Sequence, residues 1–182
     1  MPLISITRLR VRSFRYLPAF LLGALRSARE AKNASGNLAV SVLSDANFAF
    51  WTCTLWSDER AMRAFMFAPA HRRLMPKLLQ WCDEAAVAHW LQDSMQPPSW
   101  QEAHRRLQQV GRTSKVDCPS AAQLDFEVPP PKTSRQLKLR RAPCGADAQN
   151  SQITGRKIIS VLIEIYLDGR AIFQYLLKYE KA

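Results

Sequence analysis

Several kinds of chemistry leave marks that this chain does not carry. There is no glycine-rich phosphate loop, no nucleophile elbow, no His-Glu-x-x-His pair and no paired zinc motif. Carboxylates are scarce in the apolar part, and the one adjacent pair there, Asp83-Glu84, falls where a helix is expected to end. Hydrolysis by paired acids is therefore poorly served. The four cysteines, Cys53, Cys82, Cys118 and Cys144, are far apart and form no CxxC or CxxH unit. Cys53 and Cys82 sit in apolar segments, where a free thiol acts as a small hydrophobe, so a reducing, cytoplasmic setting is expected. No stretch approaches the roughly 18 to 20 apolar residues that span a bilayer, and no transmembrane segment is expected.

What the chain has in excess is positive charge, +11 over 182 residues. The charge is spread out: sixteen Lys and Arg against nine Asp and Glu in residues 1–123, then ten against six in residues 124–182. No nucleic-acid-reading signature accompanies it, and the aromatics fall at core-like positions rather than among the basic residues. A solvated basic surface, with no specific nucleic-acid partner, is the expectation. Six arginines and no acid precede Glu30, and LPAFLLGALRSA resembles a short hydrophobic region ending in small residues. Targeting segments share those features. A strand-like stretch before it favours instead the first strand and helix of a domain.

A hydrophobic fraction of 47% can build a real core. Leu9 and Val11 alternate with Arg8, Arg10 and Arg12, the pattern of a half-buried strand. Leu17, Phe20, Leu21, Ala24, Leu25 and Ala28 then form one stripe on a helix from about Arg15 to Asn33. Ser35-Gly36-Asn37 ends it, with Gly36 suited to the left-handed conformation. Strands are predicted over Leu38–Leu43 and Phe48–Trp56. Phe48, Phe50, Thr52, Thr54 and Trp56 share one face of the second; Ala49, Trp51, Cys53 and Leu55 share the other. Both faces are fit for burial, so this strand is expected at the centre of a sheet. Asp58 is a plausible N-cap for a helix over Glu59–Phe67, Pro69 breaks and restarts it to about Asp83, and Val87–Gln92 reads as a last strand. The order β-α-β-β-α-β is that of a ferredoxin-like α+β protomer. Its helices cover one sheet face; a second copy packed on the other would enclose a cavity and make a homodimer.

Beyond Pro97-Pro98, Ser99-Trp100-Gln101-Glu102 is a capping box for one more helix, stopped near Gly111, which closes a domain over residues 1–111. Residues 112–156 are polar, basic and rich in Pro, Ser and Gln, and read as a disordered linker. Two apolar runs around Asp168-Gly169 give residues 157–182 a hairpin pattern.

Four of the five tryptophans and two of the three histidines lie between Phe48 and Asp93. His71 starts the restarted helix on its apolar face, where the helix dipole disfavours imidazolium. A neutral imidazole facing an apolar cavity suits ligation of a haem iron or removal of a substrate proton. Arg72 could then pair with a haem propionate, and Trp51 could wall a flat apolar ligand. The plainer readings are a histidine bonded at a helix start, a solvated Arg72-Arg73 pair and a core tryptophan. His89 alternates with Val87 and Leu91 and reads as a satisfied core histidine; His104, beside Arg105 and Arg106, reads as exposed.

The segments FWTCTLW, AMRAFM, AHRRLMPKL, QWCDEAAVAHW and PPSWQEAHRRL resemble the small bacterial proteins grouped near spheroidene monooxygenase, within the antibiotic-biosynthesis-monooxygenase-like, dimeric α+β barrel superfamily. The resemblance covers about residues 3–123. It implies a ferredoxin-like protomer, a dimer and oxygen chemistry on an apolar small molecule. It also implies haem in some branches, held by a histidine at the place of His71. Phe67-Ala68-Pro69-Ala70 departs from the Ser-Gly-Pro expected before that histidine, and the chain after about Leu124 has no counterpart in the grouping.

Overall fold

A computed structural model of the chain describes residues 1–132 and the backbone of a strand at Arg135–Leu139; the hairpin pattern of residues 157–182 and Cys144 lie outside the described residues. The elements follow the predicted order. Strand β1 is Leu3–Val11, followed by a single 3-10 turn and helix α1, Leu17–Asn33. Next come β2 (Asn37–Ser44), β3 (Ala49–Trp56), α2 (Glu59–Met66), α3 (Pro69–Trp81) and β4 (Cys82–Leu91). The chain then adds α4 (Trp100–Val110), β5 (Arg112–Thr113), the short α5 (Ala121–Leu124) and β6 (Arg135–Leu139). The strands lie in the order β5-β4-β1-β3-β2-β6, and every pairing is antiparallel. The central four, β4-β1-β3-β2, with α1 and α3 crossing one face, are the ferredoxin-like α+β fold.

Local chemistry sets the boundaries. Gly36 adopts φ +76°, and a Cβ there would come within 2.5 Å of Ala61 Cβ. The Asp58 carboxylate accepts a hydrogen bond of 2.8 Å from Ala61 N, capping α2 and holding its own pKa down through that bond. Pro69 opens α3, and Ser99 caps α4 by accepting from Glu102 N. Helices α1 and α3 pack closely: a Cβ on Gly23 would lie 2.7 Å from Leu74 Cδ1.

Three corrections to the expectations follow. The sheet face away from α1 and α3 does not wait for a second copy. Trp100, Ala103 and Leu107 of α4, with Val128 further on, cover Ile4, Ile6, Leu43, Trp51, Cys53 and Leu55. Trp51 is 0% exposed within the single chain. The face-to-face homodimer inferred from an uncovered sheet face therefore loses its premise.

The second correction concerns residues 112–132, expected as linker. They fold onto the sheet edge, where Gln123 takes the role of a missing strand: its side-chain amide accepts from Ala85 N (2.9 Å) and donates to the carbonyls of Ala85 and Ser114. Polar residues read as solvated are here satisfying backbone groups. Beyond them, Arg135–Leu139 pairs with β2 as β6.

Third, Asp83-Glu84 does not end a helix but begins β4. Glu84 forms an ion pair with Arg8 that is 4% exposed on both sides, beneath the Trp51 ring. Arg10 holds both Asp83 oxygens (2.9 and 2.8 Å) and reaches Glu84 at 2.9 Å, while Ser120 donates to Glu84. Alternation places Arg8 on the face away from α1 and α3, as expected, but α4 and the following segment bury that face. Removing one partner of such a pair leaves an uncompensated buried charge, which costs about 3–5 kcal/mol. Glu84→Gln should lower the urea-unfolding free energy by about that amount, and Arg8→Met combined with Glu84→Leu should recover most of it. A loss under about 1 kcal/mol in Glu84→Gln would show that the pair is solvated in solution.

Candidate functional site

A cavity of about 650 Å³ lies between the helices and the sheet. Its walls are chiefly apolar: Phe20, Leu21, Leu25 and Ala28 from α1, Met62, Phe65 and Met66 from α2, and Leu74, Met75 and Leu78 from α3. The floor is different. Strand alternation turns Ser5 and Thr7 of β1, and Thr52 and Thr54 of β3, toward the helices. Register then sets Ser5 opposite Thr54 and Thr7 opposite Thr52, so four hydroxyls form one patch under an apolar roof. Thr54 is partly engaged, accepting from Trp56 Nε1 at 2.8 Å and lying 3.4 Å from the Ser5 carbonyl. On the neighbouring strand, Ser5 faces His89. Lining residues that are also exposed, Met75 and Pro76 of α3 and Arg112 and Lys115 at the β4–β5 edge, mark a mouth between those elements.

His71 lines this cavity, half-buried at the start of α3 and with its ring 4.7 Å from that of Phe65. Its Nδ1 is 3.1 Å from the Met66 carbonyl oxygen. A carbonyl only accepts, so Nδ1 carries the proton, and in the neutral ring Nε2 keeps its lone pair. Nε2 has no hydrogen-bond partner among the described residues. The His71 pKa is lowered, as the sequence suggested, but for another reason. Burial is the largest cause, while the bond to Met66 and the charge of Glu30 act in the opposite direction. Glu30 reaches across from α1 and accepts from Ala70 N (3.0 and 2.9 Å) and His71 N (2.9 Å). The positive end of α3 is thereby answered by a carboxylate before the imidazole feels it.

Of the other residues singled out in the sequence, His89 belongs to the site. It lines the cavity, makes no hydrogen bond among the described residues, and has its pKa lowered by burial first and Arg112 second. The expectation of a satisfied core histidine is thus corrected: polar Ser5 across the ladder and the open mouth surround it instead. Trp51 is not brought to His71. It packs on the opposite sheet face, where its Nε1 donates to Asp45 at 3.0 Å and its ring meets His104 edge-on. Trp56 is the tryptophan that lines the cavity. His104 is half-buried rather than exposed, with Nε2 2.8 Å from the Val128 carbonyl. Arg72 is exposed and takes no part in the cavity lining.

As a haem ligand, His71 offers the right donor: a free Nε2, with Nδ1–H anchored on a carbonyl as metal-bound imidazoles commonly are. The cation expected for a propionate, Arg72, points elsewhere. No group of three or more His, Cys, Asp or Glu residues suited to holding a metal ion occurs among the described residues. Cys53 and Cys82 are buried thiols with pKa values pushed up to about 12 by burial, which makes them poor nucleophiles.

Residues 23–138 match the family model described as "Domain of unknown function (DUF3291)". The chain belongs to that family. Its description assigns no activity. No curated protein matches the chain. Among solved structures, it is similar to a conserved protein from Methanosarcina mazei Go1, at 12% identity and TM-score 0.47 over 51% of this chain and 94% of that one. SnoaB, a cofactor-independent oxygenase from Streptomyces nogalater, is similar at 14% identity and TM-score 0.44 over 51% and 94%. An antibiotic biosynthesis monooxygenase is similar at 15% identity and TM-score 0.46 over 50% and 99%. These likenesses concern the fold, which rests independently on the strand order and register above. No helix among the described residues is long and apolar enough to cross a membrane.

Acid should act on this DUF3291 domain through the two cavity histidines. Both have folded-state pKa values below their ordinary 6.5, so the unfolded chain binds more protons as the pH falls. Their contribution is complete above about pH 6.5 and is lost as the pH drops from there through the folded values. Urea-unfolding free energies measured between about pH 7.5 and 5 should fall, with a shallower fall in His71→Gln/His89→Gln. Equal slopes for the two proteins would place the titrating groups elsewhere.

Proposed function

We propose that this protein binds an apolar small molecule between its helices and sheet and acts on it as a monooxygenase-like enzyme, with His71 accepting a proton from the ligand. The observation that carries the reading is the cavity with the His71 Nε2 lone pair free in its wall. The chamber opens to water at its mouth, so a ligand can enter from solvent and displace water from chiefly apolar walls. Its volume falls within the range of small-molecule sites, roughly 300–1,000 Å³.

The chemistry follows from the lining. An apolar body fits against the helices, and ligand oxygens find the Ser5, Thr7, Thr52 and Thr54 hydroxyls beneath. A neutral imidazole in such a setting removes a proton from an acidic O–H or from a C–H next to a carbonyl. The hydroxyl patch can donate hydrogen bonds to the anion that results. An enolate or phenolate made in this way is electron-rich enough to react with dioxygen. That is the sense in which the fold's monooxygenase-like character would be used.

Two measurements test the reading. Fluorescence of the neutral probe 1-aminoanthracene should rise on adding the protein while tryptophan emission falls in step, with affinity lost in Ala28→Phe, which fills the cavity from α1. Proton removal should appear as His71-dependent exchange of the α-hydrogens of 2-tetralone in deuterium oxide, followed by NMR. Probe binding without such exchange would leave a non-catalytic binding protein, and failure of both would remove the reading.

The free Nε2 supports a second reading, in which His71 would hold a haem iron that would supply the oxygen chemistry. Haemin added to the purified protein should then give a shifted Soret band that is lost in His71→Ala; an unchanged band in that variant would eliminate it.

A further inference from the structure

The mouth of the cavity differs in charge from its interior. Two cations, Arg112 and Lys115, line it while remaining exposed, and neither has an ion-pair partner among the described residues. Their position is fixed by backbone rather than by chance: Arg112 pairs with Val87 on the β4 edge, and Ser114 N donates to the Ala85 carbonyl, which sets Lys115 beside it. Glu59 of α2, whose charge reaches His89, is engaged by Arg63 at 2.6 Å. Val87 and Leu79 line the same cavity as the cations, together with its apolar walls.

An apolar chamber closed by two unpaired cations has the polarity of a site for an amphiphilic anion. We propose that the ligand is an apolar carboxylic acid, its hydrocarbon or ring body against α1 and α3 and its carboxylate at Arg112 and Lys115. This rests on the cavity being a ligand site, and it adds which end of the ligand faces out. A carboxylate held at the mouth also sets how deep the remainder can reach, bringing the buried part of the ligand to the His71 and hydroxyl level. Arg112 offers a planar fork suited to bidentate carboxylate binding, and Lys115 offers a point charge. Because the mouth is open to water, the cations discriminate by a moderate factor rather than an absolute one.

The test compares two fluorescent probes of one shape, 1-pyrenebutanoic acid and 1-pyrenebutanol, titrated into the full chain and into Arg112→Gln/Lys115→Gln. In the unaltered protein the acid should bind about fivefold to tenfold more tightly than the alcohol at low salt, and the ratio should shrink in about 0.5 M sodium chloride. In the double variant the ratio should approach one because the acid weakens, while the alcohol keeps its affinity. Equal affinities for the two probes in the unaltered protein would overturn the proposal while leaving the cavity as a binding site. A preference undiminished in the variant would overturn it as well. Binding of neither probe would remove the cavity reading and this proposal together.

Discussion

A sheet whose two faces are both apolar has to be covered twice, and the way this chain does so determines everything else about it. On one face α4 and the segment reaching Val128 cover Ile4, Ile6, Trp51, Cys53 and Leu55 in one buried cluster. On the other, α1 and α3 stand off from a floor of hydroxyls. Close packing and a chamber sit back to back across one sheet. The division follows from side-chain choice on β1 and β3. Isoleucine, tryptophan and leucine fill their face, whereas serine and threonine are too short to reach helices held apart by their own apolar stripes.

The dense face also carries the fold's buried charge. Arg8 and Glu84 tie β1 to β4 where Trp51 and the covering segment exclude water, and Arg10 with Asp83 continues the ladder toward solvent. This fixes the register of the two strands that bring Ser5 and His89 face to face across the cavity floor. The chemistry proposed for one side of the sheet thus depends on electrostatics on the other.

Much of this was legible in the sequence. The stripe Leu17, Phe20, Leu21, Ala24 on α1, the break at Pro69 and the capping box at Ser99 are local signals, and each element they predicted is present. The alternation in β3 also separated Trp51 from Trp56 correctly. Strand periodicity tells which residues share a face, however, and not which face the helices will take. The sequence therefore points to Trp51 as the partner of His71, whereas Trp56, with Thr52 and Thr54, is the one that lines the same cavity, reached from His71 through the Phe65 ring. Other features depend on partners distant in sequence, which no local pattern announces. Arg8 with Glu84, Gln123 standing in for a strand beside Ala85, and Glu30 capping α3 are of this kind. The polar composition of residues 112–132 concealed backbone satisfaction as solvation, and with it the segment that carries Arg112 and Lys115.

The central claim is that His71 presents an unprotonated Nε2 to an apolar chamber that takes a ligand. Long-range proton–nitrogen NMR correlations of the imidazole rings address it directly, because they report which nitrogen carries the proton. At pH 7 the account predicts that His71 is neutral with its proton on Nδ1, and that 1-aminoanthracene moves the Nε2 signal and leaves that of His104 in place. A His71 protonated on Nε2, or a spectrum indifferent to the probe, would contradict it.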